Sequence, residues 1–213
     1  MRSWKCLLAP VLAGLLVAPL LGQRRGGPGG MISGVFLLGQ KSVQQELKLT
    51  EEQVKKITEA GEKMRSEFGN LQGLEGDERA KKIQELREES RKTVAGILSK
   101  DQAKRFKQIS LQVQGLRAVG NPEVAKELKI TDDQKEKVKE LQQQAGQDIR
   151  KIFEDAAGDF AAARKKIDEY NKGFNEKVLK LLTDEQKTKW KELTGKPFKG
   201  EIRFGPPPRR NNN

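Results

Sequence analysis

Apolar residues in this chain recur at three- and four-residue spacing, with charged residues filling the positions between them, which is the signature of amphipathic helices. Val54, Ile57, Met64 and Phe68 mark one face of a helix predicted over Glu51–Phe68, with Lys55, Lys56, Glu59, Glu62, Lys63 and Arg65 largely opposite. Gly69-Asn70 is expected to stop it, and a glycine-rich loop leads to Gly76. A second long helix is expected from Asp77, as N-cap, to Leu98, with Ala80, Ile83, Leu86, Val94 and Ile97 as its stripe. A third carries Ala103, Phe106, Ile109 and Val113 to about Arg117.

The second half repeats the scheme more cleanly. Asn121 caps a short helix with Pro122 at its first position. The next stripe is Val138, Leu141, Ala145, Ile149, Ile152 and Ala156, nearly a heptad. After a turn at Ala157-Gly158-Asp159 come Phe160, Ala163, Ile167, Tyr170, Phe174, Val178 and Leu181. These two helices should each span about 36 Å at 1.5 Å per residue. A last helix with Trp190 and Leu193 is expected to end at Gly195 in a left-handed cap.

The halves align. Gly34–Gly39 ahead of Leu47-Lys48-Leu49-Thr50 matches Gly115–Gly120 ahead of Leu128-Lys129-Ile130-Thr131 at an offset of 81, which drifts to 84 by Leu98 and Leu182. Short insertions between equivalent helices of a duplicated unit account for the drift. The expected fold is therefore all-α, built of elongated amphipathic helical hairpins in two tandem copies, over 31–117 and 118–195.

Four helix starts share one motif: Thr50 with Gln53, Ser99 with Gln102, Thr131 with Gln134 and Thr183 with Gln186. Each fits a capping box, in which the hydroxyl accepts the third helical N–H and the glutamine reaches back to the cap's own N–H. The reading favoured for these eight residues is structural, as caps; a direct ligand role is the alternative. Ser99, followed by Lys100 where the others have an acid, is expected to be the least well fixed.

Composition narrows the function. Hydrophobic residues are 35% and charged residues 34% of 213, a balance that suits narrow buried stripes rather than an enzyme with a deep pocket. Arg2 and Lys5 precede an apolar run from Leu7 to Leu21, read as an export signal over 1–22 that is cleaved near Gly22; an uncleaved anchor is the alternative. Residues 23–30 (QRRGGPGG) form a flexible basic linker, and 196–213 a largely disordered tail, although Phe198, Ile202 and Phe204 have something to lay back on the bundle. The single cysteine, Cys6, falls inside the leader and there is no histidine, which removes disulfides, thiolate or imidazole metal sites and histidine-based catalysis. No catalytic residue, metal site or cofactor is expected. The charge of +12, of which Arg2 and Lys5 supply +2, leaves +10 after the leader is removed. That charge suits acidic protein segments or an envelope polyanion; nucleic acid is not an expected partner, since no recognition motif supports it.

Leu49-Thr50-Glu51-Glu52-Gln53 and Leu182-Thr183-Asp184-Glu185-Gln186, with near copies at Ile130-Thr131 and Leu98-Ser99, resemble the Spy/CpxP family of periplasmic proteins with LTxxQ motifs. That resemblance covers about residues 40–195 and implies a curved helical hairpin and a cradle-shaped dimer. It also implies ATP-independent chaperoning, damping of an envelope-stress sensor, or metal resistance. The chain departs from the family in carrying two motif pairs, so one chain can supply both halves of the cradle as a monomeric pseudo-dimer, with a homodimer as the alternative. It also lacks the His and Cys ligands of a zinc-binding member.

The expected function is an exported, periplasmic holdase for unfolded or partly folded envelope proteins. The alternative is a regulatory or structural module that engages one envelope partner or a polyanion. Lys100, Lys104, Arg105 and Lys107, with Lys187, Lys189 and Lys191 in the second copy, are the candidate partner-binding cations, set against the plainer reading of a solvated face.

Overall fold

The computed structural model describes residues 34–202. The leader expected at 1–22, the linker at 23–30 and residues 203–213 lie outside the described residues, as does the side chain of Phe160. Among the described residues there are nine α-helices and no strand. They are α1 (Val35–Leu38), α2 (Lys41–Glu46), α3 (Glu51–Asn70), α4 (Gly76–Ile97), α5 (Lys100–Gln114), α6 (Pro122–Glu127), α7 (Asp132–Asp155), α8 (Phe160–Leu181) and α9 (Asp184–Thr194). Two 3-10 segments, Leu71–Gly73 and Gly115–Gly120, join them.

The long helices pair as hairpins, α3 with α4 and α7 with α8. Into each hairpin tucks a short apolar segment that begins at a glycine: α1 packs on α3 and α4, and the 3-10 segment Gly115–Gly120 packs on α7 and α8. The backbone polar groups of these seats are satisfied by the hairpin. Val35 N–H donates to Ser90 Oγ (3.2 Å), and Leu116 N–H to Asn175 Oδ1 (3.4 Å). Ser90 is only 4% exposed, and it fills the gap between Leu86 and Val94 in the α4 stripe.

Each hairpin has its own core. Val35, Leu38, Val43, Ile57, Met64, Leu71, Leu86 and Ile109 belong to the first; Leu111, Val119, Leu128, Val138, Ala145, Phe174 and Val178 to the second. Helix α5 contributes to both and packs along α9, so it is the seam of the molecule.

Several boundaries differ from the sequence expectation. Helix α3 takes in Gly69-Asn70 and ends there, two residues past Phe68, and Leu71 just beyond is 3% exposed and anchors the tip. Burying such a leucine yields about 1.5–3 kcal/mol, against roughly 1 kcal/mol for a glycine inside a helix. Asp77 is not an N-cap: α4 is preceded by Glu75 with no side-chain cap, and Asp77 sits in the first turn, where its charge favours the positive helix end. Ala80 is exposed and not part of the stripe. Helix α5 ends at Gln114 rather than near Arg117.

Gly195 does follow the last helix, but its φ of 61° and ψ of −151° lie outside the left-handed helical region. Gly115, after α5, has the same conformation (58°, −154°), which is open essentially only to glycine. From this point the sequence pattern starts again: Gly195–Gly200 repeats the spacing of Gly34–Gly39 and Gly115–Gly120. Within the described residues this third segment packs onto the bundle. Phe198 and Ile202 pack against the first core, Phe198 N–H donates to Gln112 Oε1 (2.7 Å), and Ser42 Oγ donates to the Glu201 carbonyl (2.6 Å).

Candidate functional site

All four capping boxes are complete, with hydroxyl and glutamine each engaging the other's backbone N–H. The bond to the cap hydroxyl is 3.4 Å at Ser99 and 3.2 Å at Thr50, Thr131 and Thr183, so the serine copy is the loosest.

Capping is only half of what the glutamines do. Gln53 Nε2 donates to Gln102 Oε1 (2.8 Å) and Gln102 Nε2 donates back to Gln53 Oε1 (3.2 Å), closing an amide pair. The second N–H of each goes to a helix end: Gln53 to the Ile97 carbonyl (2.7 Å), Gln102 to the Leu47 carbonyl (3.2 Å). The second lone pair of each oxygen takes the cap N–H of Thr50 or Ser99. Both amides therefore use two donors and two acceptors, their full capacity. One knot fastens the end of α2, the start of α3, the end of α4 and the start of α5.

The same knot recurs in the second unit. Gln134 Nε2 donates to Gln186 Oε1 (2.8 Å) and to the Leu181 carbonyl (2.6 Å); Gln186 Nε2 donates to Gln134 Oε1 (2.9 Å) and to the Lys129 carbonyl (3.2 Å). The signal for this pairing was in the sequence. A capping box accepts Glu as readily as Gln, yet all four positions are Gln in a chain rich in Glu. A carboxylate cannot donate, so only the amide makes the reciprocal pair.

The candidate cations divide. Arg105 is structural: it binds Glu46 (2.6 Å) and donates to the Lys196 carbonyl (2.6 Å), tying α5 to α2 and to the segment after α9. Lys107 pairs with Glu127 (2.5 Å), Lys187 with Asp184 (2.9 Å) and Lys189 with Glu192 (2.9 Å). Lys100, Lys104 and Lys191 are exposed and, among the described residues, make no ion pair. Four of the seven thus answer to intramolecular partners, and three remain as a solvated basic surface.

The exposed apolar surface lies elsewhere. In the first hairpin the core reaches the turn: Met64 and Leu71 are buried, with Phe68, Leu74 and Ile83 against them. In the second the contiguous cluster stops near Ala145, and beyond it Ala163 is buried apart from either core. Beyond that point Ile149, Ile152 and Ile167 are half-buried members of neither core, and Phe153 is 38% exposed. Arg150, Lys151, Arg164, Lys165 and Lys166 are exposed around them. The sequence suggested the cleaner packing for this hairpin, but its distal half is the thinner one. The equivalent of Phe36, whose ring lies 6.0 Å from Phe68, is here Arg117.

Arg117 stacks its guanidinium 4.6 Å over the Phe174 ring and donates to Asn171 Oδ1 (2.9 Å). Nearby, burial and a hydrogen bond to Asp148 push the Tyr170 hydroxyl up to about 12. A shallow depression lies on α4 between Lys81 and Thr93; that single helix supplies all its lining, so it is an open face. Among the described residues no group of three or more acidic, His or Cys side chains is placed to hold a metal ion, and no helix is long and apolar enough to cross a membrane.

Compared with protein-family models, with curated proteins and with solved structures, the chain matches none.

Proposed function

We propose that this chain is a non-catalytic helical protein-binding protein, exported to the periplasm, that holds unfolded or partly folded polypeptides without nucleotide hydrolysis, in the manner the Spy/CpxP resemblance implies. The observation that carries this reading is the distal half of the α7–α8 hairpin. There Ile149, Ile152, Phe153 and Ile167 form an apolar strip left out of both cores, with Arg150, Lys151, Arg164, Lys165 and Lys166 exposed around it among the acids Glu154, Asp155, Asp168 and Glu169. Surface of that kind gives a non-native chain apolar contact, while the surrounding charge keeps the protein soluble.

The reading is tested by light scattering from a denatured, aggregating client mixed with increasing amounts of the protein. Suppression at stoichiometric to severalfold excess, independent of ATP and weakened by Phe153→Ser, is the expected outcome. No suppression at severalfold excess sinks it. Capture of one dominant folded partner from an envelope extract, in place of a broad set of unfolded proteins, would instead favour a regulatory module.

A further inference from the structure

The two hairpins share one plan but differ at the tip, where the first has the buried Leu71 and the second an exposed Ala157-Gly158 turn, and at one seat, where the second places a charge that makes no ion pair among the described residues. In the first unit Phe36 closes the groove between α3 and α4 over Phe68, and the core continues beneath it to the turn. In the second unit the equivalent side chain is the guanidinium of Arg117, half-buried over Phe174. Three described arginines are half-buried, and the other two are well provided: Arg105 has Glu46, and Arg79 donates to the Leu71 carbonyl. Among the described residues Arg117 has the amide oxygen of Asn171 and the Tyr170 side chain beside it, and no ion pair with a carboxylate. Asp148 on α7, the acid that meets Tyr170, also accepts a hydrogen bond from Gln144 Nε2 (2.9 Å). Burial lowers the proton affinity of the Arg117 side chain, as for a cation partly stripped of water, with Tyr170 acting in the opposite direction.

The apolar strip begins where this guanidinium ends. Ile167, Asn171 and Phe174 follow one another at four- and three-residue spacing along one face of α8, so Ile167 is one turn beyond the amide that Arg117 contacts. On α7, Gln142 donates to the Arg117 carbonyl (2.9 Å), and Ala145, Ile149, Ile152 and Phe153 continue outward from it at helical spacing. A guanidinium with free N–H groups at the inner end of an apolar groove is complementary to a carboxylate next to large apolar side chains. Arginine binds carboxylates through two parallel hydrogen bonds, which a neutral amide cannot match.

We propose that the groove running from Arg117 to Phe153 binds segments of non-native polypeptide in which an acidic residue stands beside large apolar ones, with the carboxylate on Arg117 and the apolar side chains on Ile149, Ile152, Phe153 and Ile167. This rests on the holdase reading and names the class of segment it selects.

The test uses the full chain and two short fluorescent peptides of leucine, phenylalanine and glutamate, identical except that the second carries glutamine for glutamate. Anisotropy titration should show the glutamate peptide binding about tenfold tighter, the size of one hydrogen-bonded charge pair in a half-buried site. Arg117→Gln should bring the two affinities together, Arg117→Lys should restore part of the gap, and Phe153→Ser should weaken both peptides by the same factor. Thermal melts followed by circular dichroism identify which variants keep the fold; if Arg117→Gln does not, the Arg117→Lys comparison decides alone.

A glutamate preference that survives at Arg117→Gln, or that is undiminished in a folded Arg117→Lys, overturns the proposal. So does the absence of binding by either peptide. A dimer that Phe153→Ser dissolves also overturns it, since a second copy would then cover the strip. Aggregation suppression with no role for Arg117 defeats this inference alone, whereas loss of suppression with the peptide preference intact defeats the holdase reading alone.

Discussion

A capping glutamine and a capping glutamate are interchangeable at an isolated helix start, and the paired knots make them unequal. Gln53→Glu keeps the reach back to the Thr50 N–H but turns both donors of the side chain into acceptors that face Gln102 Oε1 and the Ile97 carbonyl. We predict a loss of about 1–3 kcal/mol at neutral pH, the cost of orphaning buried hydrogen-bonding groups. Part should return as the pH falls below about 4 and the carboxyl regains an O–H. Urea unfolding at two pH values measures both; an unchanged midpoint would reduce the motif to plain capping. Tyr170 offers a second residue-scale test, because it is the only tyrosine in the chain and its ionisation is read directly by absorbance. Its hydroxyl is raised to about 12 by burial and then by Asp148, against about 10 when unfolded. The stability it contributes is therefore complete below pH 10 and lost as the pH climbs towards 12. Asp148→Asn should move the titration part of the way down, since burial remains. The capping boxes were legible in sequence because their chemistry is local. The Gln53–Gln102 pair was not, because 49 residues separate its members and only the preference for Gln over Glu betrays it. Ser90 was hidden for a related reason: a polar residue in an apolar stripe reads as a gap until its partner, the Val35 N–H, is brought to it.

The hairpins show what period and spacing do and do not convey. The stripes placed the helices, and the starts at Glu51, Asp132 and Asp184 were read to the residue because a cap marks each one. The ends were read less well. Gly69-Asn70 was read as the stop after Phe68, and the pair instead forms the last two residues of α3, with the buried Leu71 next. How deep each stripe is buried was not legible at all, since nearly the same pattern of apolar residues is covered by Phe36 in one hairpin and left open beside Arg117 in the other. The difference predicts unequal local stability. In native-state hydrogen exchange, amides from Ile149 to Ile167 should open at lower free energy than those from Phe68 to Ile83, the former resting on a two-helix contact and the latter on a filled core. Equal protection at the two tips would contradict the asymmetry.

At the scale of the molecule, the two units are joined by more than their covalent link. Helix α5 packs on α9, Gln112 Nε2 donates to the Thr194 and Lys196 carbonyls (2.6 and 2.8 Å), and Arg105 reaches both Glu46 and Lys196. Phe198 lies after the second unit in sequence yet belongs to the first core in space. Phe198→Ala should therefore lower stability by about 1–3 kcal/mol, a partial version of the cost of truncating a buried phenylalanine. The lost amide protection should appear around Ile57, Leu86 and Ile109 rather than around Val138 and Val178. Damage confined to the second unit would refute the strap. Of these contacts the sequence offered Phe198 and Ile202 as apolar side chains with a bundle to lie back on, but not which core they would meet, since periodicity is blind to contacts between residues as far apart as Ser42 and Glu201. The duplication was readable, and its joint repays a closer look. Gly115 and Gly195 hold the same backbone conformation, at the end of equivalent helices, and each opens the same glycine-to-glycine spacing. A unit that ended at either glycine would meet a backbone already in the conformation its counterpart holds, so the junction, as well as the helices it joins, is part of what is repeated.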